Sequence, residues 1–147
     1  MPAYKSVQMT APRYPVSGPG IGGRNIHSER GEFSLTAALA LNDTVDLFYL
    51  PKGFRVTGGF VKVDDLDTGG SPAIVLAVGD SGDDDRYFTG LTTGQAGGVS
   101  TTMAATGVDY ATTAKTLVQL KVTTAPATGA TSGTVVVTLF GTIEEPK

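Results

Sequence analysis

The segment from residue 46 to residue 91 constrains the fold most, because short apolar runs alternate there with turn residues. Residues 46–50 are short and apolar, and a Pro-Lys-Gly turn follows, since proline presets φ and glycine accepts a positive φ. Residues 54–64 continue as a strand, and residues 73–79 are apolar throughout, as a strand covered on both faces is. The segment therefore predicts three strands joined by turns.

The strand at 54–64 changes its apolar face midway. Phe54 and Phe60 share one face by a period of two, whereas Val61 lies on the other. A shift of one residue exchanges the faces of a strand, and glycine inside a strand often marks a bulge. The glycine pair at 58–59 therefore predicts a β-bulge.

Strand patterns recur along the rest of the chain. Residues 33–41 fit a period of two at five apolar positions, although their alanine and leucine content leaves a helix as the alternative. Residues 116–124 alternate cleanly and 134–143 form a strong final strand. Residues 86–113 begin with a strand pattern but then have small and polar side chains, which predicts a long loop. Within it we expect a short strand at 108–111.

These patterns predict an all-β fold, a single antiparallel β-sandwich of jelly-roll-like type with an extended N-terminal arm. We expect the arm to span residues 1–31 and the sandwich domain residues 32–147. The predicted core consists of large apolar residues on the inward faces. They are Phe33, Leu35, Phe48, Phe54, Val56, Phe60, Ile74, Leu76, Val78, Leu120, Val122, Val135, Val137 and Leu139.

Length and composition exclude several classes of protein. The chain has 147 residues, which is typical of one domain whose core is large enough to fold without cross-links such as disulfides. It contains no cysteine, so it has neither disulfides nor thiolate metal sites, which suits a cytosolic origin. We expect no membrane span and no secretory signal peptide, because no apolar run is long enough.

The N-terminal arm is rich in proline and glycine and cannot hold a helix or a central strand. Residues 1–31 carry four basic and one acidic side chain, whereas residues 32–147 carry seven basic and thirteen acidic ones. The acidic body argues against nucleic-acid binding, which needs phosphate neutralisation. The arm is either a solvated tail or a segment that lies on its own body or on a neighbouring subunit.

Recurrent apolar residues and two arginines make the arm the candidate region for contacts with a neighbouring protein, such as a second subunit. The predicted contact residues are Tyr4, Val7, Met9, Arg13, Tyr14, Val16, Ile21 and Arg24.

Catalytic and metal-binding patterns are weak. His27 is the single histidine and has no nucleophile motif near it, so we expect a plain surface role. The acidic loop at 80–86 could bind a cation, together with Asp64, Asp65 and Asp67 one hairpin away. Its aspartates do not follow the ligand spacing of an EF-hand loop, so we interpret it as a solvated loop end.

The glycine-rich run at 18–23 lacks the strand, helix and lysine of a phosphate loop. The chain has no tryptophan platform of the kind glycosidases use. We therefore predict that the protein is not an enzyme and that it needs no cofactor and no metal.

Several short motifs resemble small structural proteins of tailed bacteriophages. Leu-Pro-Lys-Gly at 50–53 precedes a strand, an acidic turn and an apolar strand that ends in Val-Gly-Asp at 78–80. Asp-Arg-Tyr at 85–87 and Gly-Gln-Ala-Gly-Gly at 94–98 follow. The resemblance covers roughly residues 33–143.

The resemblance implies a virion protein of the capsid decoration, or cement, type. Such a protein binds the outer surface of the shell built by the major capsid protein, often as a homotrimer, and stabilises the head. It would be made in the host cytoplasm and bind neither nucleic acid nor membrane. The alternative is a tail- or fibre-associated β-module that contacts a host glycan or another tail protein.

Overall fold

A computed structural model describes residues 3–5 and 26–144, and nearly all regular structure in them is β. A single turn of 3-10 helix at Thr93–Gln95 is the exception within the described part of the chain. The strands are β1 (Ala3–Lys5), β2 (His27–Ser34), β3 (Thr44–Leu50), β4 (Phe54–Val63), β5 (Val75–Asp80), β6 (Asp83–Leu91), β7 (Gly98–Ser100), β8 (Thr116–Thr124) and β9 (Thr134–Ile143).

The strands form two facing sheets with the apolar core between them. One sheet has the order β1-β3-β8-β5-β6 and the other the order β2-β9-β4-β7. β1 pairs parallel to β3, and the other pairings are antiparallel. The prediction of a single antiparallel β-sandwich is confirmed. Apart from the β5–β6 hairpin, each strand crosses to the other sheet, an order compatible with the jelly-roll interpretation, which stays a prediction.

The predicted core is confirmed except at one position. Phe33, Leu35 and the other predicted residues are buried between the sheets, but Phe60 is only half-buried and lies on the outer face of its sheet. The register of β4 against β9 shifts between Val56 and Gly58, which confirms the predicted bulge. Because a bulge exchanges the faces, Val61 points inward after it and Phe60 points outward.

The segment predicted as a strand at 33–41 is different in the structure. β2 starts at His27 and ends at Ser34, and residues 35–41 form no strand. The chain turns over the end of the sandwich instead, where the N–H of Leu35 donates to the carbonyl of Gly133 over 2.8 Å. Residues 27–31, predicted as arm, are thus part of a sheet, while the division into arm and domain stays a prediction.

The predicted acidic loop at 80–86 is also wrong in its extent. β5 reaches Asp80 and β6 begins at Asp83, so the loop is a tight connection of two residues. Residues 86–113 are likewise more ordered than predicted, because they include most of β6, the 3-10 turn and β7. The strand predicted at 108–111 is reduced to one bridge between Arg55 and Ala111.

The Pro-Lys-Gly turn between β3 and β4 is fixed by the segment before β8. Gly53 has φ of 81°, and a Cβ there would lie 2.5 Å from the carbonyl oxygen of Glu144, so only glycine fits. The buried hydroxyl of Thr112 donates to the carbonyl of Pro51 over 2.6 Å and accepts from the N–H of Phe54 over 3.0 Å. These contacts tie the turn between β3 and β4 to the segment before β8.

Candidate interaction surfaces

Of the predicted contact residues, Tyr4 is the one that belongs to the part of the chain that the structure describes. The others lie outside the described residues, and their assignment stays a prediction. They are Val7, Met9, Arg13, Tyr14, Val16, Ile21 and Arg24.

Tyr4 lies in β1, at the edge of the five-stranded sheet. In the parallel pairing, Ala3 lies opposite Thr44 and Tyr4 opposite Val45. The half-buried ring of Tyr4 packs at a tilt on the ring of Phe33 in β2, with 5.5 Å between the ring centroids. β1 therefore covers the edge of β3 and contacts the opposite sheet at the same time.

The two sheets approach closely beside β1. A Cβ added to Gly31 of β2 would lie 2.9 Å from Cβ of Leu47 and 3.0 Å from its carbonyl oxygen, so the absence of a side chain allows this approach. We call this side of the sandwich the N-terminal seam. It is formed by Tyr4, Gly31, Phe33, Val45 and Leu47.

The outer face of the four-stranded sheet carries a small aromatic patch. The rings of Phe60 and Phe140 lie 6.0 Å apart between centroids, and both are half-buried. Lys62 lies beside them in β4, opposite Val136 of β9, and Val99 of β7 is 57% exposed next to Lys62. Aromatic side chains with a polar border on the solvent side of a sheet are typical of protein contact surfaces.

A buried carboxylate organises the β5–β6 turn. Asp80 accepts from Nε of Arg86 over 2.7 Å, from the hydroxyl of Tyr87 over 3.1 Å and from the N–H groups of Gly82 and Asp83 over 2.9 and 3.2 Å. Burial alone would raise the pKa of Asp80, but the hydrogen bonds from Arg86 and Gly82 outweigh it and lower this pKa. Burial beside the negative charge of Asp80 raises the pKa of Tyr87.

The guanidinium of Arg86 also ties this turn to the loop before β8. It lies 4.0 Å from the centroid of the Tyr110 ring, a cation–π geometry. The ring of Tyr110 meets that of Tyr87 edge-on at 6.4 Å. Asp80, Arg86, Tyr87 and Tyr110 thus form one connected polar and aromatic cluster at this end of the sandwich.

Three neighbouring carboxylates, Asp83, Asp84 and Asp85, come within 4.8 Å of one another. Each has a partner in the protein. Asp84 pairs with Nζ of Lys121 at 2.5 Å, Asp85 accepts from the hydroxyl of Thr89 over 2.8 Å, and Asp83 lies 4.0 Å from Arg86. Lys121 and Arg86 therefore offset part of the negative charge of this acidic group.

A second buried carboxylate, Asp67, holds the loops at the opposite end of β5. Its oxygens accept from the N–H groups of Ala73, Ile74, Ala127 and Thr128 over 2.6, 3.1, 2.8 and 2.7 Å. Burial alone would raise the pKa of Asp67, but these four backbone donors outweigh it and lower the pKa to about 2. Asp67 joins the loop before β5 to the loop before β9.

Sequence reasoning left open whether the two acidic groups converge, and the structure separates them. β5 lies between Asp67 and Asp80, and a six-residue strand spans about 20 Å. No charge pattern in the sequence indicates that Asp67 accepts hydrogen bonds from the backbone. The role of Tyr110 as a ring under Arg86 depends on a contact between distant segments, which periodicity does not show.

The remaining sequence candidates add no site. His27 begins β2 and is half-buried, opposite Gly141 of β9. The glycine-rich run at 18–23 lies outside the described residues. Among the helical elements of the described part, none has the length and apolar character needed to cross a bilayer.

Two solved structures are similar to this chain over nearly its whole length. A chain in the capsid of Ralstonia phage GP4 is 28% identical with a TM-score of 0.80, and the alignment covers 99% of this chain and 100% of that one. A chain in the capsid asymmetric unit of cyanophage Pam1 is 34% identical with a TM-score of 0.75, and the alignment covers 92% of this chain and 96% of that one. No protein-family model and no curated protein matches.

Proposed function

Because this chain belongs to the family of phage capsid chains that includes the cyanophage Pam1 chain, we propose that it is a capsid decoration, or cement, protein. It binds the outer surface of the shell formed by the major capsid protein and stabilises the head. Its role is structural and not catalytic. The observation that carries this proposal is that both alignments span nearly all of both chains, so that the matching capsid component is itself one small β-sandwich.

Charge supports a place on the outside of the shell. Residues 32–147 carry thirteen acidic and seven basic side chains. The inner surface of a filled head faces packed DNA, and phosphate repels an acidic surface. The same charge balance does not disfavour the outer surface, where the partner is protein.

In this proposal, the protein acts as a homotrimer whose N-terminal segments hold it on the shell. Closed cyclic symmetry gives a defined oligomer without open-ended growth. Three attached segments raise the avidity of a trimer although each contact is modest. The apolar residues and the arginines of the segment would contact the shell or a neighbouring subunit, and the charged ones would contribute more to encounter than to final affinity.

A truncation tests this proposal. Deletion of residues 2–25 leaves β2 intact, because that strand starts at His27. Bound to shells of the same phage made without the protein, the truncated chain should show at least about 100-fold weaker attachment and little heat protection, because the multivalent contact is lost. Occupancy is measured by cryo-electron microscopy, and heat protection by release of DNA on heating.

Charge variants separate steering from attachment. Replacing Arg13 and Arg24 by Ala should weaken binding by roughly two- to fivefold, with a loss that shrinks at high salt. The matched control is Lys52→Ala, which removes an exposed positive charge from a turn of the body.

Undiminished occupancy and heat protection by the truncated chain would show that the segment is only a tail. Full-length protein found at the tail and not on the head would overturn the assignment as cement.

A further inference from the structure

We propose that the edge of β3 is a strand-acceptor site that the β1 strand of a neighbouring copy occupies in the assembled trimer. This inference rests on the proposed function, and it names the contact through which copies are tied together. The pairing seen within one chain supplies the geometry, because the same residues meet whether β1 comes from the same copy or from the next.

The acceptor site is a built feature of the N-terminal seam. The edge of β3 at Thr44–Asp46 offers backbone groups to a parallel strand. Phe33, which is 7% exposed, packs against the ring of Tyr4, and Val45, which is 1% exposed, lies opposite Tyr4 in the strand pairing. Without β1, this edge would be open to pairing with another chain, and the apolar surface of Phe33 would gain exposure. An extended segment with one aromatic side chain is the occupant that this site fits.

The length of the connection between β1 and β2 exceeds what a return to the same body needs. Twenty residues, 6–25, join the two strands. Extended, they reach about 65–70 Å. The return from Tyr4, beside Phe33, to His27 covers only about 20 Å along β2 and about 10 Å between facing sheets. Connections in compact domains usually take a few residues. The connection is therefore long enough to deliver β1 to another copy.

The amino-acid composition of this connection favours an extended chain over a compact one. Pro12, Pro15 and Pro19 fall within the connection, and proline fixes φ and removes a backbone donor. Stiffening of this kind lowers the entropy lost when the segment docks at a distance. Exchange of an identical strand between copies also forms no new kind of contact, so it needs no second interface to evolve.

Engineered cysteines distinguish the two arrangements, because the chain has no cysteine of its own. Ala3 and Thr44 are register partners, and neighbouring strands hold their Cα atoms within the range that a disulfide bridges. One chain carries Ala3→Cys, and a second, with a C-terminal extension that changes its mass, carries Thr44→Cys. The two are co-expressed and oxidised. We expect a disulfide-linked heterodimer on non-reducing gels, at least about tenfold above the control.

The control replaces Thr44→Cys by Thr57→Cys, an exposed position on the outer face of the other sheet. The double variant Ala3→Cys/Thr44→Cys should close covalent trimers, both in solution and on decorated shells. A double variant that stays at monomer mass with an internal disulfide in both samples, together with no mixed heterodimer, overturns the exchange. Decoration that persists in that case leaves the proposed function standing. Interchain disulfides without decoration support the exchange and overturn the function.

Discussion

Asp67 and Asp80 are both buried carboxylates at the ends of β5, but they are stabilised in different ways. Asp67 accepts four backbone N–H groups and pairs with no cation of the described residues. Asp80 accepts two backbone N–H groups, a tyrosine hydroxyl and the guanidinium of Arg86. One end of the sandwich is thus fixed by backbone N–H groups, which every substitution except one by proline retains. The other end is fixed by side chains that can be replaced one at a time.

The difference predicts where each end is vulnerable. At the Asp67 end, every donor is fixed in place, so stability there depends on the charge and the acceptor oxygens of a single residue. At the Asp80 end, several side chains share the carboxylate, so loss of one leaves the others. The sandwich therefore has one end whose stability depends on a single carboxylate and one end whose stability falls in smaller steps as side chains are replaced.

Asp67→Asn is the substitution with the largest expected effect. Its amide nitrogen would face N–H donors such as those of Ala73 and Ala127, which leaves buried donors unsatisfied. We expect the melting temperature to fall by roughly 10 °C. The control is Asp65→Asn, an exposed residue that accepts one N–H, from Asp67 itself, and its melting temperature should fall by about 2 °C or less. Differential scanning calorimetry measures both.

The pH dependence sharpens this test. The pKa of Asp67 is lowered from 3.8 to about 2 on folding. A lowered folded-state pKa contributes stability that is fully present above the unfolded value and is lost as the pH falls through the folded one. The natural chain should therefore lose stability between about pH 4 and pH 2, and Asp67→Asn should show a flatter slope there. Equal slopes for the two proteins would contradict the role of the carboxylate.

The sequence specified the sandwich well where period-two patterns are regular. Leu120 and Val122 in β8 are buried as predicted, and Val118 is buried with them, because a strand between two others presents alternate residues to the core. The pattern misled at Phe60, since the bulge that the glycines predict also moves that ring to the outside. When a bulge is predicted, the buried and exposed faces of the residues after it have to be exchanged in the same prediction.

The candidate sites were less accessible to sequence reasoning. Tyr87 and Phe88 are neighbours that are both fully buried, which no alternation predicts. The reason is tertiary: both rings belong to the apolar core cluster, and Tyr110, from a distant segment, packs edge-on against Tyr87. The contact of Tyr4 with Phe33 joins residues far apart in the chain, and the pattern of the arm gave only its apolar character.

Arg86→Met should have an intermediate effect. The aliphatic chain of methionine keeps part of the packing, whereas Asp80 loses its cation but retains Tyr87 and two backbone donors. We expect the melting temperature to fall by roughly 5 °C. Combined with Asp80→Asn, the loss should be smaller than the sum of the single losses, because both act on one interaction. Strict additivity in thermal unfolding would show that Arg86 stabilises the fold through its other contacts, with Tyr110 and Asp83, and not through Asp80.

The smallest effect concerns a buried hydroxyl that lacks a partner. Oγ1 of Thr138 makes no hydrogen bond among the described residues although Thr138 is only 4% exposed. Thr138→Val replaces it by a methyl group of similar size, so a burial cost disappears and the melting temperature should rise by about 1–3 °C. Thr112, 3% exposed, is the matched control, because its hydroxyl donates to Pro51 and accepts from Phe54. Thr112→Val should therefore lower the melting temperature, and a shift of the same sign in both variants would show that burial alone, and not satisfaction of the polar atom, decides stability in this sandwich.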